Sequence, residues 1–212
     1  MTKTRVLPII DPQAIPAAQV VLKCHGTIVF PTDTIYGIAA GAFDPEGINK
    51  LYEIKQRPEE KALPVLIGEP AQLEDLVLVL SDTVKAIADA FWPGALTLIL
   101  PKGPGVPSEL SPYTTIGVRM PNLGFALKLL RSTGPLATTS ANLSGGKNPT
   151  TVDDVCEQLL DRPDLILDGG PTPGPVASTV LDASGPTLKV LREGPVTLSA
   201  IELHLNQAEN RL

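Results

Sequence analysis

Two short stretches of the chain carry side chains suited to gripping an anion. Lys55-Gln56-Arg57-Pro58 sets two cations close together at the end of an expected helix. Ser140-Ala141-Asn142-Leu143-Ser144-Gly145 is a small polar turn ending in glycine, able to offer hydroxyl, amide and backbone N–H donors. Brought together by the fold, they form a pocket for a phosphorylated or carboxylated ligand. Each also has a plain reading. Lys55 and Arg57 on a continuing helix would point different ways, and cations at a helix C-terminus are favoured by the helix dipole alone. Pro58 ends the helix and leaves a route for both into one loop-lined space. The Ser140 turn could equally cap the helix expected from about Thr151.

Other segments add donors. Pro31-Thr32-Asp33-Thr34-Ile35-Tyr36-Gly37 follows an apolar strand, where α/β proteins often place ligand contacts. Thr32 and Thr34 offer hydroxyls, Tyr36 a phenol and Gly37 a close backbone approach. The alternative is a turn held by an Asx bond from Asp33. Arg119 ends the apolar strand Thr115-Ile-Gly-Val-Arg119 and suits either a bidentate carboxylate contact or a structural salt bridge. Lys61, beside Glu59 and Glu60, reads as part of a surface patch or as a cation turned inward. Thr138 and Thr139 lead into the Ser140 turn. A glycine–proline loop from Asp168 feeds a strand headed by Ser178 and Thr179, and Arg192 closes the last strand.

The scaffold that must position these residues alternates strand-like and helix-like segments. Helices are expected over Ala14–Cys24 with Gly26 as its glycine cap, from Ile48 to Lys55, and over 82–91, 123–130 and 152–160. Strands are expected over 27–30, 63–67, 95–100, 116–119, 136–138, 165–167, 178–181 and 188–191. This alternation predicts an α/β fold: one twisted mixed sheet with flanking helices and a concave ligand cavity. A chain of 212 residues fits a single domain, 1–212, with its core over about 15–195 and a polar tail over about 203–212.

Composition excludes several functions. The net charge of −6 opposes broad attraction to nucleic acid or an anionic membrane. One Trp, three Tyr and four Phe leave few platforms for stacking bases. Two histidines and two cysteines match no metal spacing, so no protein-held metal is expected, and Cys24 and Cys156 are expected to be buried free thiols. The longest aliphatic run, Leu76 to Leu80, cannot span a bilayer. No signal peptide is evident, and a reducing cytoplasm is the expected compartment. The chain has neither the GxxxxGK[ST] nor the GxGxxG pattern. It also has no Ser-His-Asp set or close carboxylate dyad, so hydrolase chemistry is poorly supported.

Taken in order, PTDTIYG at 31–37, KQRP at 55–58, FWPGALTLIL at 91–100, TIGVRMP at 115–121, TSANLSG at 139–145, DGG at 168–170, STV at 178–180 and LREG at 191–194 resemble the YrdC/TsaC-type threonylcarbamoyl-AMP synthases. The resemblance covers about residues 15 to 195. It implies formation of threonylcarbamoyl-AMP and pyrophosphate from L-threonine, bicarbonate or carbon dioxide, and ATP, with Mg²⁺ carried on the ATP. The product would pass to a downstream tRNA threonylcarbamoyl-transfer complex. By the same resemblance Lys55, Arg57, Ser140 and Asn142 form the catalytic set. Thr115, Asn148 and Arg192 join them around ATP, and Thr32, Tyr36, Lys61, Arg119, Thr138 and Ser178 surround L-threonine. Ala62 stands where the family often has proline, and Asn148 where it often has serine. The chain resembles the short form, without a second C-terminal domain. Two other classes share the module: an RNA-binding protein, with weak tRNA contact as its mildest version, and a carbamoyl-transfer domain of hydrogenase-maturation proteins.

Overall fold

The computed structural model describes residues 4–58, 60–160, 162–174 and 176–209. The chain opens with β1 (Arg5–Pro8), α1 (Ala14–Lys23), β2 (Ile28–Pro31), β3 (Tyr36–Gly41) and α2 (Pro45–Lys55). After β4 (Val65–Leu66) and a 3₁₀ turn at Pro70–Leu73 come α3 (Asp82–Phe91), β5 (Leu96–Pro101), β6 (Thr115–Arg119), α4 (Gly124–Thr133) and β7 (Leu136–Ser140). The remainder is α5 (Val152–Leu159), β8 (Leu165–Asp168), β9 (Thr179–Asp182), β10 (Lys189–Arg192) and α6 (Leu198–Glu209).

The strands form one sheet in the order β1-β8-β2-β3-β7-β4-β6-β5-β9-β10. Pairs β1/β8, β2/β8, β4/β6 and β5/β9 are parallel and the others antiparallel, so the sheet is mixed as expected. Strand alternation sorts side chains to two cores. Ile28 and Phe30 of β2 pack beneath α1 and α4 with Ala18, Leu129 and Leu167, whereas Val29 joins Ile38, Ile48, Leu51 and Val65 on the face of α2. A strand buried on both faces reads as an unbroken apolar run, which is why Ile28–Phe30 was legible.

The α1/α4 layer reaches as far as Ala39, Leu66 and Leu136. Beyond it, on the same face, β6, β5 and β9 form the floor of an open cavity.

Local chemistry explains most boundaries. The Ser81 hydroxyl accepts from the Val84 N–H and starts α3. Thr151 and Asp154 form a reciprocal capping box at α5, with the Asp154 carboxyl held near 2, chiefly by the Thr150 N–H. The Ser140 turn therefore does not cap α5. The residue that leaves α1 with positive φ is His25, at 55°, and not Gly26. Gly26 is required for another reason: a Cβ there would lie 2.6 Å from Val21 Cγ1.

Some expectations fail. The strand expected over 63–67 is regular only at Val65–Leu66; Pro64 has no N–H to give to the ladder, although its carbonyl accepts from the Thr138 N–H and the Ile67 N–H donates to the Arg119 carbonyl. Neither cysteine forms a disulfide and both are exposed, not buried, Cys24 at the C-terminal end of α1 and Cys156 on the outer side of α5. Much of the supposed polar tail is helical. Ile201 of α6 is fully buried and Leu205 packs against the core, while Phe91 and His204 meet edge-to-face at 6.0 Å.

Candidate anion-binding cavity

The two stretches that hold anion-binding side chains do meet, although not as a pair of cations in one space. Lys55 is the last residue of α2 and is 1% exposed. Its Nζ donates to the carbonyl of Ser140, to the carbonyl of Asn142 at 2.5 Å and to Asn142 Oδ1 at 3.3 Å. The Ser144 N–H donates back to the Lys55 carbonyl. Asn142 closes the turn by donating from Nδ2 to the Gly146 carbonyl at 2.7 Å. Gly145 provides the left-handed residue, with φ 84°. Burial, helped by the nearby Arg57 charge, brings the Lys55 ammonium down to about 7, and the three oxygens favour its protonated form.

Gln56 explains why Lys55 and Arg57 part company. It adopts φ 50° and ψ 44°, which reverses the backbone between them. Arg57 swings into the cavity and is braced there, donating from Nε to the Lys61 carbonyl and from Nη2 to the Ala62 carbonyl, each at 3.0 Å.

The cavity encloses about 350 Å³, within the usual range for small-molecule sites. Three guanidinium groups line it: Arg57, Arg119 and Arg192. Burial pushes all three below the ordinary arginine value, even Arg192 at the more exposed rim. Arginine keeps its proton, so the cost of desolvating these charges favours an anion among them.

Arg119 is already paired. Its Nη2 donates to Asp33 Oδ1 at 2.5 Å, Nη1 to Thr34 Oγ1 at 3.1 Å and Nε to the Gly94 carbonyl at 2.9 Å. Three of its five N–H groups are used and two remain for a ligand. The Asx turn from Asp33 is therefore not made. The Thr32 hydroxyl organises that loop instead, accepting from the Thr34 and Ile35 N–H groups and lying 2.7 Å from the Ile35 carbonyl.

At the far side, Ser178 Oγ lies 2.8 Å from Thr97 Oγ1 and 3.2 Å from Arg192 Nη2. Arg192 also donates twice to the Ser178 carbonyl. Tyr36 borders the cavity, but its side chain is fully buried, and its phenol donates to the Gly170 carbonyl at 2.7 Å and accepts from the Gly169 N–H. Burial, opposed by that N–H and aided by Asp168, raises the phenol to about 12.

Of the residues expected at the site, Thr32, Tyr36, Arg57, Arg119, Thr138, Ser140, Asn148, Ser178 and Arg192 line this one cavity. Lys55 and Asn142 stand directly behind Ser140. Thr115 contributes its carbonyl to Ser111 and lies outside the lining. Lys61 is exposed, contributing its backbone carbonyl to Arg57. Sequence reasoning did not single out Thr97, Ile99 or Gly117 as lining residues. Thr97 had a readable signal, a lone hydroxyl inside the apolar run Leu96–Leu100.

An open-faced mixed sheet whose uncovered end gathers three arginines and a set of hydroxyls defines an α/β protein with a candidate small-anion site. The chain belongs to the Sua5/yciO/yrdC family, whose sequence model, described as "Telomere recombination", matches residues 20–194. It is 42% identical over 195 residues to a Bacillus subtilis protein named threonylcarbamoyl-AMP synthase, a match covering 91% of this chain and 56% of that protein. The structure of Pyrococcus abyssi Sua5 complexed with L-threonine superposes with a TM-score of 0.89 at 34% identity, over 97% of this chain and 61% of that one. Escherichia coli YciO superposes with a TM-score of 0.83 at 26% identity, over 95% of this chain and 100% of its own. The chain thus spans little more than half the length of the Bacillus relative.

Proposed function

We propose that this protein is an L-threonylcarbamoyladenylate synthase, with ATP and L-threonine bound side by side in the arginine-lined cavity. The observation that carries the proposal is the convergence of Arg57, Arg119 and Arg192 on one pocket in a chain of net charge −6. The name of the Bacillus relative and the threonine complex of the Pyrococcus relative support the same reading.

The chemistry suits such a pocket. The threonine amine adds to carbon dioxide, supplied directly or by dehydration of bicarbonate, and loses a proton to give a carbamate. A carbamate oxygen then attacks the α-phosphorus of ATP as the bond to the bridging oxygen breaks, and pyrophosphate leaves with that electron pair. No protein nucleophile is needed. The barrier lies in holding anions together and in neutralising the charge that accumulates on the leaving group.

In this reading Arg119 presents its two remaining N–H groups to the threonine carboxylate, with Thr32, Tyr36, Thr138 and Ser178 shaping that end. Arg57, Arg192, Asn148 and the Ser140 hydroxyl take the phosphates. Lys55 and Asn142 hold the Ser140 turn in place, while Thr115 and Lys61 flank the site. Mg²⁺ enters on the ATP phosphates as part of the substrate. The product passes to a tRNA threonylcarbamoyl-transfer complex, any direct tRNA contact is weak, and the reaction belongs in the cytoplasm.

The test is pyrophosphate release by purified protein supplied with ATP, Mg²⁺ and bicarbonate, with and without L-threonine. Release that depends on threonine supports the proposal. Folded protein giving no threonine-dependent release overturns it.

A further inference from the structure

The chain has three tyrosines, and the phenol of each donates to the backbone carbonyl of a loop residue. Tyr36 holds Gly170. The other two converge on the short loop that follows Gln56. Tyr52, on the buried face of α2, reaches the Lys61 carbonyl at 3.2 Å. Tyr113, in the connection between β5 and β6, reaches the Glu60 carbonyl at 2.9 Å.

That loop is the seat of Arg57. Its Nε donates to the Lys61 carbonyl and its Nη2 to the Ala62 carbonyl, so the Lys61 oxygen is shared by a phenol and the guanidinium. The Leu63 N–H fastens the far end of the loop to the Leu110 carbonyl at 2.9 Å. Tyr113 stands on a turn that is itself fixed. The buried Ser111 hydroxyl donates to the Thr115 carbonyl at 2.8 Å and accepts from the Tyr113 N–H at 3.3 Å. Lys102 Nζ donates to the Ser111 carbonyl at 2.7 Å. Tyr113 is 55% exposed, so burial does not account for where its ring lies.

A guanidinium aimed by backbone carbonyls is only as fixed as those carbonyls. Two of the five Arg57 N–H groups are spent on them, and three remain for a phosphate. With the loop pinned in advance, binding does not bear the cost of ordering it, and affinity is higher. Neither Tyr52 nor Tyr113 lines the cavity, so any effect on a ligand must pass through the loop.

We propose that Tyr113, together with Tyr52, is a positioning residue for Arg57, acting through the Glu60 and Lys61 carbonyls to set the affinity for nucleotide. This rests on the reading of Arg57 as a phosphate contact and adds the device that aims it.

The experiment measures the Kd for ATP with Mg²⁺ by calorimetry, using the parent protein and the Y113F, Y52F, R57A, R57A/Y113F and R57A/Y52F variants. L-threonine is left out, so failure of the synthase reaction does not enter the result. Y113F and Y52F each keep the ring and remove one hydroxyl. Each should raise the Kd roughly 2–10-fold, the worth of one hydrogen bond. In the R57A background the loop no longer aims a guanidinium, so neither substitution should raise the Kd further. Calorimetry reads the Kd apart from the stoichiometry, so partial loss of folded protein does not mimic the effect.

If R57A weakens ATP binding while Y113F and Y52F leave the Kd unchanged, this proposal is overturned and the phosphate role of Arg57 stands. Equal weakening by Y113F with and without Arg57 also overturns it, by giving the phenol a role that does not pass through the guanidinium. An unchanged Kd in R57A removes Arg57 from the phosphates and takes this proposal with it.

Discussion

Lys55 Nζ lies 2.5 Å from the backbone carbonyl of Asn142, a residue 87 positions further along the chain. The same ammonium reaches the Ser140 carbonyl and Asn142 Oδ1, so its three protons meet three oxygens. Lys55 ties the end of α2 to the end of β7, one layer behind the Ser140 hydroxyl that faces the cavity.

Replacing this ammonium should loosen both fold and site. Lys55→Met leaves two buried carbonyls without their donor, and the expected cost is about 3 kcal/mol. The urea midpoint should drop at an unchanged m-value, and synthase activity should fall with the turn. A variant as stable as the parent would rule out the tie.

The same residue predicts a pH dependence. Its folded value is about 7 against an ordinary 10.5, so between these limits the unfolded chain holds the proton more tightly. Stability therefore rises with pH across that window on account of Lys55. The burial penalty is fully present below pH 7 and is relieved as pH approaches 10.5. Subtracting the unfolding free energy of the K55M variant from that of the parent, at steps from pH 6 to 10, should show the rise. A difference that stays flat or falls contradicts it.

Arg119 and Asp33 form a largely buried pair, with side chains 7% and 13% exposed. Removing one member leaves the other uncompensated, so Asp33→Ala should cost about 3–5 kcal/mol, measured by chemical denaturation. Arg119→Lys keeps a charge and loses the fork that serves Asp33, Thr34 and Gly94 at once. The KM for threonine should rise about tenfold or more, as for loss of a charge-assisted hydrogen bond. An unchanged KM would remove Arg119 from the carboxylate.

Tyr36→Phe should strand the Gly170 carbonyl and the Gly169 N–H and cost about 1–3 kcal/mol. The phenol is raised to about 12 from 10.0, so the folded state keeps its proton after the unfolded state has lost it. The stability it confers is complete below pH 10 and lost as pH climbs toward 12. Tyr36→Phe should abolish that share of the alkaline decline. An identical decline in both proteins would show that another group causes it.

Much of this architecture was legible along the chain. The spacing of Ile48, Leu51, Tyr52 and Lys55 marks the inner face of α2, and all four are buried. Lone polar residues beside apolar strands, such as Arg119 and Ser178, mark cavity positions. What could not be read was direction. The left-handed turn at Gln56, which sends Lys55 inward and Arg57 to the cavity, has no glycine to announce it. β3 was hidden because Tyr36–Gly41 is two-thirds glycine and alanine. Tyr36 was expected to present its phenol to a ligand, yet a loop more than a hundred residues away claims that hydroxyl.

The amino-acid sequence by itself determined the alternation of elements, the set of cations and hydroxyls, and the order of motifs that marks the family. These are local or compositional properties, written in periodicity and residue type. Only the tertiary structure decided which groups remain available to a ligand. Strand order and register bring β7, β4, β6, β5 and β9 side by side, and each polar side chain then bonds the donor or acceptor that packing places nearest. That allocation consumed the Tyr36 phenol, the Thr32 hydroxyl and the Lys55 ammonium internally. It left the outer N–H groups of three arginines facing the cavity.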